Sequence, residues 1–78
     1  MTNKEMIFDI LNDHSCLTAQ EIKGFINRKY NTIISNQSIS AAMRPAVSAG
    51  LAEKGVSPTN NKTVYWLTSF GKEVWNNG

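Results

Sequence analysis

The sequence predicts a mostly helical α+β chain: a three-helix core, two or three β-strands in a hairpin arrangement, and a short C-terminal helix. Three observations predict it. Apolar residues recur at helical spacing through three successive segments up to Gly50. From Leu51 the period falls to two on either side of the polar loop Pro58-Thr59-Asn60-Asn61-Lys62. No repeat, low-complexity tract or linker interrupts the order, so residues 1–78 read as a single domain.

The first helix covers roughly residues 3–13, where Met6, Ile7, Ile10 and Leu11 share one face. Asn12-Asp13-His14-Ser15 then breaks the period with turn formers, and His14 is expected to be a solvated loop residue. Thr18-Ala19-Gln20-Glu21 is a capping box: the threonine hydroxyl accepts from the Glu21 amide and the Glu21 carboxylate reaches back. Leu17, just before the cap, is placed to staple onto Ile22. Ile22, Phe25, Ile26 and Tyr30 carry this second helix to about residue 30. Gly24 weakens it by about 1 kcal/mol relative to alanine, which predicts close packing against a neighbour. Asn31-Thr32 turns the chain, and Ile33-Ile34 reads as a stub of strand.

The third helix starts at Ser35 or Asn36, either of which can cap. Ile39, Met43, Ala46 and Val47 form its narrow buried stripe. Ala49-Gly50-Leu51 ends it, with Gly50 suited to a left-handed stop. Pro45 lies inside, where a regular helix loses about 3 kcal/mol, so a kink or distorted turn is expected there. Leu51 to Ser57 and Thr63 to Leu67 are the two hairpin strands. Thr68 or Ser69 caps a final helix of about seven residues carrying Phe70, Val74 and Trp75.

Composition narrows the function classes. The hydrophobic fraction of 41% and charged fraction of 18% are those of a folded chain. A lone Cys16 excludes an intrachain disulfide and, with one histidine, cannot build a four-ligand zinc site. Cys16 itself reads as a small buried hydrophobe. No cofactor or metal is expected. One histidine and one cysteine near a turn make no nucleophile–base pair, and the five glycines are too scattered for a phosphate loop, so no enzyme is expected. No apolar run approaches the ~20 residues of a membrane span, which points to a cytoplasmic protein without a membrane partner.

Net charge is only +2, but it is unevenly placed. Residues 1–22 set Lys4 against Glu5, Asp9, Asp13 and Glu21, a balance of −3. Residues 23–62 set Lys23, Arg28, Lys29, Arg44, Lys54 and Lys62 against Glu53, a balance of +5. Either a charged binding face or scattered solvated lysines would produce that pattern.

Three stretches carry a resemblance. Thr18 to Ile22 matches a "T-x-x-E-I" opening of a second helix; Ser38-Ile39 through Met43, Ala46 and Val47 to Ala49-Gly50-Leu51 matches a recognition helix with its "A-G-L" exit; Tyr65-Trp66-Leu67-Thr68-Ser69-Phe70-Gly71 matches "Y-x-L-T-x-x-G". In that order the chain resembles the winged helix-turn-helix superfamily of small bacterial and phage regulators. The resemblance implies a cytoplasmic transcriptional regulator that binds double-stranded DNA, with helix three in the major groove and the two- or three-stranded β-wing, residues 51–67, on the backbone or minor groove.

On helix three the outward residues would then be Gln37, Ser38, Ala41, Ala42, Arg44, Pro45 and Ser48. Gln37 and Arg44 have the donors for base edges, and Ala41 can meet a thymine methyl. Ser35, Asn36, Ser38 and Ser40 suit phosphate or water-mediated contacts near the helix start. Asn60, Asn61 and Lys62 mark the wing tip, and Lys23, Arg28 and Lys29 could straddle phosphates from helix two. The face is poor in long polar side chains, with Ala41, Ala42 and Pro45 where many relatives carry arginine, lysine or threonine. The alternative is therefore a winged-helix protein-interaction module acting on a host protein, with Trp66 and Trp75 as interface aromatics. By strand alternation Trp66 points away from Tyr65 and Leu67, towards an interface or under the last helix. The last helix is too short for a coiled coil, leaving a monomer or a weak homodimer through Phe70, Val74 and Trp75.

Overall fold

The computed structural model describes residues 1–78. In chain order the elements are α1 (Asn3–Asn12), β1 (Leu17–Thr18), α2 (Ala19–Tyr30), α3 (Asn36–Ser48), β2 (Ala52–Val56), β3 (Thr63–Leu67) and α4 (Ser69–Asn77).

Every helix starts at a hydroxyl. Thr2, Thr18, Ser35 and Thr68 each sit in extended backbone and accept a hydrogen bond from the amide three residues on. Each such cap is worth about 1 kcal/mol. At Thr2 and Thr18 the bond is reciprocated, by Glu5 and Glu21, whose carboxylates accept the cap amides at 2.8 and 2.9 Å. Thr18 serves twice, because the extended conformation of a cap is also that of a strand end.

The core is built from one device repeated on three helices. Ile7 and Leu11 of α1, Ile22 and Ile26 of α2, and Ile39 and Met43 of α3 are its fully enclosed large side chains. Each pair is four residues apart and so shares one helix face. Burying such a side chain contributes roughly 1.5–3 kcal/mol. Tyr65 and Leu67 of β3 close the cluster from the sheet side, with Leu17, Ile34 and Ala52 at its edge.

The sheet is antiparallel in the order β1-β3-β2. Its third strand is not the expected one. Leu17 and Thr18 pair with Tyr65 and Val64, whereas Ile33-Ile34 forms no strand. Asn31 ends α2 in the left-handed conformation (φ 51°) and Ser35 already caps α3, so the short linker has no strand to join. There Ile34 drops into the core while Ile33 stays 89% exposed.

The end of α3 follows its expectation. Gly50 is left-handed (φ 77°), its amide donates to the Val47 carbonyl at 3.1 Å, and the Leu51 amide donates to the Ala46 carbonyl at 2.9 Å. This pair of bonds is the Schellman stop. The helix runs without a break through Pro45.

Three smaller expectations are corrected. Cys16 is exposed, because Leu17 and Thr18 take the buried positions of that segment. His14 lies against the Phe25 ring, centroids 4.3 Å apart, rather than free in solvent. Gly24 has no close neighbour: a Cβ there would meet only the Arg28 guanidinium, at 3.9 Å.

Candidate nucleic-acid interface

The exposed side of α3 is formed by Asn36, Gln37, Ser40, Ala41, Arg44, Pro45 and Ser48. Two residues expected there are engaged locally. The Ser35 hydroxyl accepts the Ser38 amide at 3.1 Å and donates to the Ser38 hydroxyl at 3.0 Å, so both hydroxyls serve the cap. Ala42 is half-buried against the core. What stays free is a polar crest: Gln37 and Ala41 towards its start, Ser40 and Arg44 on the side of the sheet.

The hairpin lies alongside that crest. Strand alternation in β2 puts Ala52 and Lys54 opposite Leu67 and Tyr65, on the core side of the sheet, and puts Glu53 opposite Trp66 on the outer side. The cation of β2 therefore faces α3 and its anion faces away. Lys54, Arg44, Ser40 and Ser48 line one groove of about 360 Å³ between α3 and the sheet. A second groove, of about 210 Å³, brings Lys62 and Thr63 of the hairpin together with Asn36 of α3 and Gln20 of α2. Gln20 and Lys23 border a third beside Ile33 and Ile34.

Asn60 and Asn61, at the hairpin tip, shape the turn. The Asn60 side-chain carbonyl accepts the Lys62 amide at 3.1 Å, and Asn61 takes a left-handed backbone (φ 60°) that asparagine tolerates better than most residues. Both remain exposed, and with Lys62 they project beyond the strands.

The cations divide by environment. Lys29 is paired with Asp9 of α1, and the Tyr30 hydroxyl donates to the same carboxylate. That triad ties α2 to α1. The Lys29 ammonium first, and the Tyr30 hydroxyl second, hold the Asp9 carboxyl below its usual range. Arg28 lies over the Phe25 ring, 5.2 Å from its centroid. The Lys29–Asp9 pair is the only ion pair of the fold, so Lys23, Arg28, Arg44, Lys54 and Lys62 keep their charge uncompensated by any carboxylate contact. Four of these, Lys23, Arg44, Lys54 and Lys62, gather around α3 and the segment leading into it.

Helices α2 and α3, joined by a short turn and followed by a β-hairpin that flanks α3 and pairs with β1 in a three-stranded sheet, decide the architecture. The chain has the winged helix-turn-helix fold. A transcriptional regulator from Clostridium thermocellum superposes with a TM-score of 0.80 at 17% identity, over 95% of this chain and 73% of that one. F93 from STIV, a winged-helix DNA-binding protein, matches with a TM-score of 0.80 at 17% identity, over 96% and 80%. Bacillus subtilis PadR, in complex with operator DNA, matches with 0.78 at 16% identity, over 95% and 44%. No family sequence model and no curated protein sequence matches the chain.

In that fold α3 holds the position of the recognition helix and β2–β3 that of the wing, with α4 following the wing. Sequence reasoning missed Lys54 and Gln20 as members of this face. Lys54 was legible in principle, since it stands two residues from buried Ala52 and so on the same side of the strand. Gln20 gave no signal, because only the fold brings it beside Asn36 and Lys62. The two tryptophans are occupied within the chain. Trp66 lies over Gly55, where a Cβ would come within 3.1 Å of its ring, and Trp75 meets Phe8 edge-on at 6.0 Å. No helix is long and apolar enough to cross a membrane.

Proposed function

We propose that this chain binds double-stranded DNA as a small transcriptional regulator, with α3 in the major groove and the wing on the backbone or minor groove. One observation carries the reading: four cations without carboxylate partners surround an exposed polar helix narrow enough for that groove. Gln37 sits in the first turn of α3, where a recognition helix meets base edges, and has the paired donor and acceptor that adenine requires. Ala41, one turn later, offers a methyl to thymine. Lys62 at the wing, in one groove with Asn36, and Lys23 on α2, in a groove beside Ile33 and Ile34, supply phosphate contacts, with Ser40 and the exposed asparagines as secondary polar contacts.

The reading needs no cofactor and no catalysis. It takes the chain as one winged domain, acting as a monomer or as a weak homodimer through the exposed Phe70 and Val74 of α4. The protein-interaction alternative draws on the Ala41, Ala42 and Pro45 face of α3 and on Trp66 and Trp75; of these, the two tryptophans have partners inside the fold.

Fluorescence anisotropy with a labelled random-sequence duplex tests it. Binding is expected at low ionic strength, with affinity falling linearly in log–log form as salt rises. Absence of salt-sensitive binding at low ionic strength would remove the proposal.

A further inference from the structure

We infer that Arg44 and Lys54 together seat one backbone phosphate of a DNA duplex in the groove between α3 and the wing, so that Arg44 anchors the recognition helix instead of reading a base. The inference rests on the DNA-binding reading above and assigns a shared role to a residue pair that charge counting along the chain does not connect.

Both side chains are exposed, neither has a carboxylate partner, and they stand on opposite banks of the same groove. The one acid nearby in sequence, Glu53, is turned to the outer face of the sheet opposite Trp66. Two cations on facing banks without a counter-ion create a local positive potential that an anion between them relieves. Ser40 and Ser48, one turn before and one turn after Arg44, add hydroxyl donors along the same stripe.

Helix geometry then separates Arg44 from the bases. Arg44 lies seven residues beyond Gln37, about 10 Å further along the helix axis. With the first turn of α3 against base edges, that position is level with the groove rim, where the backbone runs. A phosphate there would be held by the guanidinium from the helix side and by the ammonium from the wing side.

The test uses the full chain and anisotropy titrations over a range of salt concentrations. Lys54→Gln and Arg44→Gln each lower the slope of log affinity against log salt. The double variant lowers it by about 0.9 in total, the value for one phosphate. Lys54→Arg restores the wild-type slope, and Lys4→Gln, on α1, leaves it unchanged. Affinities for A·T-only and G·C-only duplexes fall by the same factor in Arg44→Gln. A slope loss near twice 0.9 in the double variant would mean two separate phosphates and would overturn the shared seat. So would an equal loss in Lys4→Gln, or a selective loss of G·C binding in Arg44→Gln. Inorganic phosphate alone, at matched ionic strength, is expected to leave the Arg44 and Lys54 amide resonances in place; shifts there without DNA would identify an independent anion site and overturn the duplex assignment. If the wild-type chain binds duplex with a salt slope that neither variant alters, only this inference fails. If the wild type does not bind, the functional reading fails with it.

Discussion

Gly71 is pressed against the backbone of Leu51: a Cβ on Gly71 would come within 1.8 Å of the Leu51 carbonyl oxygen. The same oxygen accepts the Thr68 amide at 3.1 Å, while the Thr68 hydroxyl donates to the Gly50 carbonyl at 2.7 Å and accepts the Gly71 amide at 2.9 Å. The start of α4 is thus joined to the corner between α3 and the wing, and only glycine fits at the joint. Gly71→Ala is expected to cost about 3 kcal/mol, since backbone cannot yield as a side chain does. Thermal melting by circular dichroism should fall by roughly 12–24 °C; an unchanged midpoint would show the contact to be looser than this geometry requires.

Two other glycines should respond in opposite directions. A Cβ on Gly24 meets only the flexible end of Arg28, so Gly24→Ala is expected to stabilise the chain by about 0.5–1 kcal/mol through better helix propensity. Gly50 also has open space around it, but its φ of 77° is strained for any side chain. Gly50→Ala should cost about 1–2 kcal/mol. Urea titrations of the two variants read both effects; a common sign would contradict the account.

Acid should loosen the α1–α2 junction through Asp9. Its carboxyl is held below the usual range, by Lys29 first and Tyr30 second, so the unfolded chain takes up that proton more readily than the folded one. The contribution is therefore present above the unfolded value of about 4 and is lost as pH falls through the lowered folded value. The Tyr30 hydroxyl and Lys29 ammonium are shifted the other way, upwards, each by its bond to Asp9. Their share is present up to about pH 10 and lost as pH rises through the raised values. Melting curves from pH 7 down to pH 2 should flatten in Asp9→Asn relative to wild type; parallel curves would show that the triad is not linked to folding.

Cations of the basic middle segment should differ in their effect on DNA. Lys29 is held by Asp9, so Lys29→Ala is expected to leave the salt slope of duplex binding unchanged, whereas Lys62→Ala should lower it by about 0.9 without altering sequence preference. Gln37→Ala should instead reduce discrimination among duplexes by about 1–3 kcal/mol at one base pair. Anisotropy with a small panel of duplexes separates these outcomes, and a slope loss in Lys29→Ala would show that its ion pair opens on binding.

Local signals were read well because their partners lie within four residues. Thr18 and Ser35 bond to amides three positions on, Gly50 needs only its own backbone angle, and the helical stripes of α1 to α3 are properties of spacing. The sequence by itself determined these helices, their stops, the hairpin strand Thr63 to Leu67 and the uneven charge along the chain. Tertiary structure alone decided that Leu17-Thr18, and not Ile33-Ile34, completes the sheet, that Lys29 turns to Asp9, that Trp75 closes on Phe8, and that Arg44 and Lys54 share a groove. The physical reason is the range of the interaction. A cap or turn is a competition among nearby backbone groups, whereas a strand edge, an ion pair or a groove depends on which distant segments the closed core brings side by side.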